Sequence, residues 1–288
     1  MLNVFDALLQ GVMLGALYAL FAIGLSLMFG VMRVVNTAHG DFVILGSFAI
    51  IALVGWTGWN SFLSIVVVLP CFVALGYMLQ RVLINPLVGR DSLPSIVVTF
   101  GLSVVIQNVL LEAFTADTRS IEAYGLESGS LPLFGGVAVG TLPALILLIA
   151  LAATGAGAWM MQRTRLGQSF RAVADDPLVA SLMGINAKHV FGLATGLALG
   201  LLSIAGMLVG MRTSVGPSDG PAMLIYGFEA VVIGGMGSLW GTFTGAIVLG
   251  VAQSIGSRVN PGWGPLFGHL LFLIVLLIKP QGLFSKTK

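Results

Sequence analysis

The chain has 288 residues, of which 57% are hydrophobic and 8% are charged, with a net charge of +2 and a mean hydropathy of +1.04. A soluble domain usually carries about 25% charged residues, so this composition excludes a water-soluble globule. The small net charge gives no indication of nucleic-acid binding, and the single cysteine, Cys71, excludes an intrachain disulfide framework and a multi-cysteine metal site.

Seven apolar runs are long enough, or nearly so, to cross a membrane as helices, since a span needs about 20 residues. They cover residues 7–30, 42–58, 61–80, 94–114, 141–161, 190–211 and 263–279. An eighth region, 223–256, is longer and is interrupted by GGMGSLWGTFTG. We therefore predict one all-α transmembrane domain over residues 1–288, a bundle of about eight segments in which 223–256 is broken or re-entrant.

The first two apolar runs are separated by the polar stretch RVVNTAHGD, residues 33–41. His39 and Asp41 are too few to form a metal site, and we predict no metal. We interpret the stretch as a polar connection at the inner mouth of the bundle. Asp41 favours the start of the second helix, where the helix dipole is positive. A contact between Asn36 and a solute is the alternative.

The fourth run carries a polar face. Ser95, Thr99, Ser103 and Gln107 are spaced four residues apart, so each step drifts by only about 40° around a helix, and Asn108 extends the face. The face is either the wall of a path for a polar solute or a set of interhelical hydrogen bonds. The size of Gln107 and Asn108 favours the path.

Loop charges predict the orientation, because Lys and Arg concentrate on the cytoplasmic side. Residues 162–189 and the C-terminal tail are basic, whereas 115–140 hold three acidic residues against one Arg119. We predict that 162–189 is cytoplasmic and 115–140 periplasmic. If 223–256 enters and returns, ten of the 13 Lys and Arg residues, Arg90, Lys286 and Lys288 among them, are cytoplasmic. A single long kinked helix is the alternative.

The basic loop 162–189 contains a candidate short helix over 177–183. Asp176 followed by Pro177 is typical of a helix start, and Gly184 is a plausible stop. The helix exposes apolar residues in a loop with no bilayer to bury them, so we expect it to dock on a partner protein. A helix lying on lipid headgroups is the alternative.

An intramembrane carboxylate is costly, which makes Glu229 a candidate functional residue. An ion pair with Arg212 is the alternative. The chain has no G-x-x-x-x-G-K-[ST] phosphate loop and no H-E-x-x-H pair, and no catalytic nucleophile or base is indicated. We therefore predict that the chain is not an enzyme and holds no cofactor. A secondary transporter or channel that works without ATP remains an alternative.

Four ordered motifs resemble one family. GLSLMFGVMRVVNTAHGDFVILG, LPSIVVTFGLSVVIQN, RTRLGQSFRAVADDPLVASLMGIN and FEAVVIGGMGSLWGTFTGA are similar to the H-type permease subunit of branched-chain amino acid ABC importers. The resemblance runs from about residue 8 to KPQGLF. It is less specific for the solute, since permeases for urea, short-chain amides and aromatic acids look related.

The resemblance implies a multi-pass permease of the bacterial inner membrane that works by alternating access. Its implied partners are an M-type permease, two cytoplasmic ATPases that hold ATP and Mg, and a periplasmic solute-binding protein. The short helix would couple to an ATPase. The candidate coupling residues are Asp175, Asp176, Pro177, Leu178, Ala180, Leu182, Gly184 and Asn186.

Overall fold

The computed structural model describes residues 2–88, 92–132 and 138–284, so the predicted inner charges Arg90, Lys286 and Lys288 lie outside the described residues. Within these ranges the chain forms helices and one small hairpin. The helices are α1 (Leu2–Met32), α2 (His39–Thr57), α3 (Ser61–Leu79), α4 (Ser92–Phe114), α5 (Thr141–Arg163), α6 (Arg165–Asp175), α7 (Pro177–Leu182), α8 (Ala187–Arg212), α9 (Gly220–Gly234), α10 (Leu239–Val259) and α11 (Gly264–Ile278). A π-helical turn, Gln80–Ile84, continues α3, and a 3-10 turn, Pro261–Trp263, precedes α11.

Eight of the described helices are long and apolar enough to cross a membrane, and they confirm the predicted all-α class. They are α1 to α5, α8, α10 and α11 with its preceding turn. Helix α9 is apolar as well, but has only 15 residues. The predicted eighth region thus contains one short helix and one helix of full length.

Helices α1 and α8 form the centre of the bundle, and small residues let their neighbours approach closely. A Cβ added at Gly11 would lie 2.5 Å from the Cα of Val251 in α10. A Cβ at Gly196 would lie 2.8 Å from the carbonyl oxygen of Val73 in α3. The spacing of glycines four residues apart therefore marks the faces along which these backbones meet.

The break in the region 223–256 falls at residues 235–238. Gly235 and Gly237 have φ of 102° and 83°, a conformation that glycine adopts without a steric cost. Helices α9 and α10 pack against each other on either side of this turn. The turn meets Gly30 near the C-terminal end of α1, and the Ile233 carbonyl accepts a hydrogen bond from the N–H of Leu283 in the tail. The chain thus returns at the turn.

Helix α2 begins part-way along α1 instead of at its end. The His39 ring Nε2 lies 2.9 Å from the carbonyl oxygen of Phe21, which is about 16 Å from Met32 along the helix axis at 1.5 Å per residue. Residues 33–38 carry the chain back along α1 without helical structure. This position corrects our interpretation of the stretch as a connection at the inner mouth: it extends into the bundle.

The segment between α4 and α5 packs against the connection between α8 and α9. Arg119 and Val215 form an antiparallel bridge, and the N–H of Ile121 donates to the carbonyl oxygen of Gly210 at 2.8 Å. Strands β1 (Ser130–Pro132) and β2 (Ala138–Gly140) form an antiparallel hairpin in which Leu131 pairs with Val139. This end of the bundle is opposite to the one that carries α6 and α7.

Candidate functional site

The polar face of α4 lies against the start of α2. Ser95, Thr99 and Ser103 are buried, and Gln107 is half-buried. Asn108 points elsewhere: its side chain is exposed and donates to the carbonyl oxygen of Val104 in its own helix at 2.8 Å. The structure therefore brings four of the five polar residues of the predicted face together.

Thr99 and Asn36 accept two backbone N–H groups of the non-helical segment, those of Thr37 and Ala38. The Thr99 hydroxyl accepts the N–H of Thr37 at 3.2 Å and lies 2.9 Å from the Thr37 hydroxyl. The Asn36 side chain accepts the N–H of Ala38 at 3.0 Å. Non-helical backbone at membrane depth persists only where its polar groups find partners, and these two side chains supply them.

Asp41 is the charged residue of this site. It is 1% exposed and lies in the first turn of α2, where Gln107 Nε2 donates to its Oδ1 at 2.9 Å. The same Gln107 amide donates to the Ser103 hydroxyl at 3.2 Å. The sequence predicts Asp41 at the helix start but gives no sign of its contact with α4. That connection depends on where α2 begins, which apolar runs do not reveal.

Glu229 belongs to a second polar cluster, at the interface of α1, α9, α10 and α11. His269 Nδ1 lies 2.5 Å from Glu229 Oε1. The Tyr226 ring stacks between Tyr18, at 5.0 Å between ring centroids, and His269, at 6.1 Å. The Tyr18 hydroxyl donates to Gln253 at 2.7 Å.

The alternative that Glu229 pairs with Arg212 is wrong. Arg212 donates to the carbonyl oxygen of Met13 at 3.0 Å, and the ion-pair partner of Glu229 is His269. The Glu229 cluster also faces α11 and not the polar face of α4. Sequence reasoning missed Tyr226 and His269 as members, although Tyr226 and Glu229 are three residues apart and thus share a helix face.

Helix α7 exposes apolar side chains while its backbone is firmly capped. The Asp176 carboxylate accepts the N–H groups of Leu178 and Val179 at 2.8 and 3.1 Å. Leu178 and Leu182 are 77% and 85% exposed, and Met183, which follows the helix, is 79% exposed. A helix this short is marginal in isolation, so its caps and its anchor in the bundle hold it.

The anchor of α7 is its buried residue Ala180 together with the preceding helix. Ala180 is 4% exposed, and its carbonyl oxygen accepts the N–H of Ile185 at 3.0 Å. Gly184 adopts φ of 84°, and the Asn186 side chain caps α8 by accepting the N–H of His189 at 3.1 Å. The connection between α7 and α8 is therefore short and is held by these hydrogen bonds.

Helix α6 links α7 to the core. Its residues Phe170 and Val173 are buried, and it packs against α1, α5 and α8. A cavity of about 530 Å³ lies beside it, at the C-terminal end of α1. Its lining includes Arg33, Arg171, Asp175 and Gly237. The cavity thus touches both the predicted coupling segment and the turn between α9 and α10.

Among the described residues, no group of three or more His, Cys, Asp or Glu side chains could hold a metal ion. The polar face of α4 and the start of α2 offer hydroxyl, amide and carboxylate groups. Groups of these kinds are able to form hydrogen bonds with a polar solute. The exposed face of α7 offers apolar contact area for another molecule.

The comparisons with known proteins agree on one family. Residues 7–278 match the family model for the permease component of branched-chain amino acid transport systems. The high-affinity branched-chain amino acid transport system permease protein BraD of Pseudomonas aeruginosa is 30% identical over 98% of this chain and 95% of that protein. The corresponding LivH protein of Escherichia coli is 28% identical over 97% of this chain and 94% of its own length.

A more distant relative is the probable branched-chain amino acid transport permease protein LivH of Methanocaldococcus jannaschii. It is 25% identical over 93% of this chain and 88% of its own length. No solved structure matches the chain.

Proposed function

This chain belongs to the family of branched-chain amino acid transport system permease components, and we propose that it forms the membrane-spanning part of an ATP-driven importer for branched-chain or related amino acids. It is a multi-pass membrane protein, and we place it in the bacterial cytoplasmic membrane. The relatives that cover 93–98% of the chain are named for branched-chain amino acids, which favours these solutes over urea, short amides or aromatic acids.

The proposed complex contains further subunits: a second permease, two cytoplasmic ATPases that bind ATP and Mg, and a periplasmic solute-binding protein. The observation that carries the proposal is the apolar surface of the capped helix α7, where Leu178, Leu182 and the following Met183 are each more than 75% exposed. Exposed apolar residues on a fixed helix are typical of a docking surface.

The packing supports a route for the conformational change. Movement of α7 would be transmitted to α6 through their short connection and from α6 to α1 and α8, which it contacts directly. Helix α8 is hydrogen-bonded to α2: the Ser47 hydroxyl of α2 donates to the carbonyl oxygen of Gly206 in α8 at 2.6 Å. A shift of α1 and α8 would therefore move the start of α2 relative to α4.

The proposed solute path runs along the polar face of α4 and the non-helical segment before α2. Thr99, Ser103 and Gln107 present uncharged hydrogen-bonding groups there, and Asn36 lines the segment. Glu229 and Asn108 lie apart from this line, so the path we now propose leaves them out. Alternating access would open this line first to the periplasm and then to the cytoplasm.

The experiment that tests the proposal uses the complete complex in proteoliposomes. Leu182→Ser removes apolar contact area from α7, whereas Leu131→Ser, the matched control, changes a half-exposed leucine in the outer hairpin. We expect solute-stimulated ATP hydrolysis and solute uptake to fall about tenfold in Leu182→Ser alone, because loss of a hot-spot contact costs about 1–2 kcal/mol or more. Unchanged coupling in Leu182→Ser would contradict the assignment of α7.

The competing hypothesis of a channel or secondary transporter is tested with the same material. The isolated chain, reconstituted without ATPases, should show no solute flux above that of empty liposomes. Flux through the isolated chain would favour that hypothesis.

A further inference from the structure

Asp41 has an incomplete set of partners although it is buried. Gln107 Nε2 donates to its Oδ1, but within residues 2–88, 92–132 and 138–284 its Oδ2 has no hydrogen-bond partner. A carboxylate at membrane depth is costly, and a buried oxygen without a donor adds to the cost. A structure keeps such a group at the expense of stability, which makes it a candidate for function.

The surroundings of Asp41 suit an anion but do not neutralise it. The ion pairs in the described part of the chain join Arg258 to Asp6 and His269 to Glu229. Two helix N-termini meet at the carboxylate, those of α2 and α9, because Gly220 at the start of α9 packs against Asp41. Their dipoles offset part of the charge, and Gln107 and Ser103 add neutral groups on one side.

Helix α4 contacts one side of Asp41 through Gln107. Helix α4 packs against the start of α2 and the π-helical turn, and most of its surface is exposed. Its side chains form hydrogen bonds with Thr37, through Thr99, and with Asp41 in the first turn of α2, through Gln107. A displacement of α4 would open the polar face beside Asp41.

We propose that Asp41 binds the α-ammonium group of the transported amino acid as the solute passes α4, with Oδ2 accepting one of its N–H groups. An ammonium group carries three donors and a full positive charge, so it satisfies the lone pairs of Oδ2 and neutralises the carboxylate at once. Gln107 holds Oδ1 and thereby fixes the direction of Oδ2. This inference rests on the proposed function and adds the solute group that the site recognises.

The test compares Asp41→Asn with the wild-type complex in proteoliposomes that also contain the ATPases and the binding protein. Asparagine keeps an oxygen that accepts from Gln107 but replaces Oδ2 with a donor, which repels an ammonium group. We expect the initial rate of leucine uptake to fall at least about tenfold, since a charge-assisted hydrogen bond is lost. The complex should still assemble, and Asp117→Asn, in the exposed outer segment, should transport solute and hydrolyse ATP as the wild type does.

A second variant places an ammonium group permanently beside Asp41. Gln107→Lys should give an assembled complex that hydrolyses ATP without importing leucine, because its own ammonium group occupies Oδ2. A purely structural role for Asp41 makes the opposite prediction: the introduced lysine would complete the pairing of the carboxylate and leave uptake intact. Leucine uptake at the wild-type rate in this variant would refute the role of Asp41 even if Asp41→Asn does not assemble.

A labelling measurement separates an amino acid from an inorganic cation. In a Cys71→Ser background, Ser103→Cys should react with a small thiol reagent during ATP turnover, and leucine should slow the reaction. The 2-oxo acid that corresponds to leucine, which lacks the ammonium group, should not. Equal slowing by NaCl or KCl at constant ionic strength would overturn the ammonium assignment.

The outcomes distinguish this inference from the proposed function. If the wild-type complex imports no leucine when ATP is supplied, the proposed function fails. If the wild type imports leucine and Asp41→Asn or Gln107→Lys imports it at the same rate, the proposed function stands and the role of Asp41 is refuted.

Discussion

The starts of α2 and α9 are in contact inside the bundle, so we expect a single added methyl group at Gly220 to lower the stability of the protein strongly. A Cβ at this position would lie 2.6 Å from the Cγ and 2.8 Å from the Cα of Asp41, and closer still to Oδ1. Carbon atoms in proteins do not approach this closely, so the two helix starts must separate. Overpacking of a buried contact costs about 1–3 kcal/mol, and we expect Gly220→Ala to lie at the upper end because backbone atoms must move.

The assay is thermal unfolding of the purified chain in detergent. For a chain of this size each kcal/mol shifts the melting temperature by about 2–4 °C, so we expect Gly220→Ala to melt about 5–10 °C below the wild type. The matched control is Gly101→Ala in α4, where no described atom lies within 4 Å of the added Cβ. The control should be stabilised by up to about 1 kcal/mol, because alanine is the better helix former. Equal melting temperatures for the two variants would refute the packing of α2 against α9.

Three other predictions concern individual contacts. Thr99→Val removes the hydroxyl that accepts the N–H of Thr37 and should lower stability by about 1–3 kcal/mol, measured by the same unfolding assay. His269→Leu leaves Glu229 buried without its partner and should reduce the yield of folded protein, and Glu229→Leu added to it should restore the yield; no restoration would contradict the pairing. A cysteine at Ser128, in an otherwise cysteine-free chain, should react with an impermeant thiol reagent from the periplasmic side, and reaction from the cytoplasm alone would invert the orientation.

The membrane helices were predictable because their signal is local. Apolar runs of about 20 residues identify spans whatever surrounds them, and the break at Gly235 and Gly237 is written in the sequence as a cluster of glycines. The short helix α7 was predictable for the same reason, since Asp176 and Pro177 mark its start through contacts within three residues. In each case the residues that decide the structure are neighbours in the chain.

The depth at which α2 begins could not be predicted, because it depends on a contact between His39 and Phe21. Hydropathy reports that residues 33–41 are polar, and polar residues usually lie at the membrane surface. The backbone N–H groups of Thr37 and Ala38 are satisfied inside the bundle by Thr99 and Asn36, and nothing in the local pattern announces this. The polar stretch was therefore recognised but placed too close to the inner surface.

The polar face of α4 shows what helical spacing can predict and what it cannot. The four-residue spacing of Ser95, Thr99 and Ser103 correctly indicated one shared face, but the adjacent Asn108 lies about 100° further around the helix and bonds its own backbone. Periodicity also gave no partner for Glu229, because His269 is 40 residues away. Partners across helices follow from packing, which a single sequence does not specify.

The proposed function depends most on a contact between α7 and a separate ATPase subunit. A photoreactive amino acid at Leu182, with the same residue at Leu131 as the control, tests this claim in the assembled complex. We predict that Leu182 cross-links to the ATPase in high yield and that Leu131 does not. Cross-links from Leu182 to lipid alone, in a complex that still hydrolyses ATP and imports solute, would contradict the account.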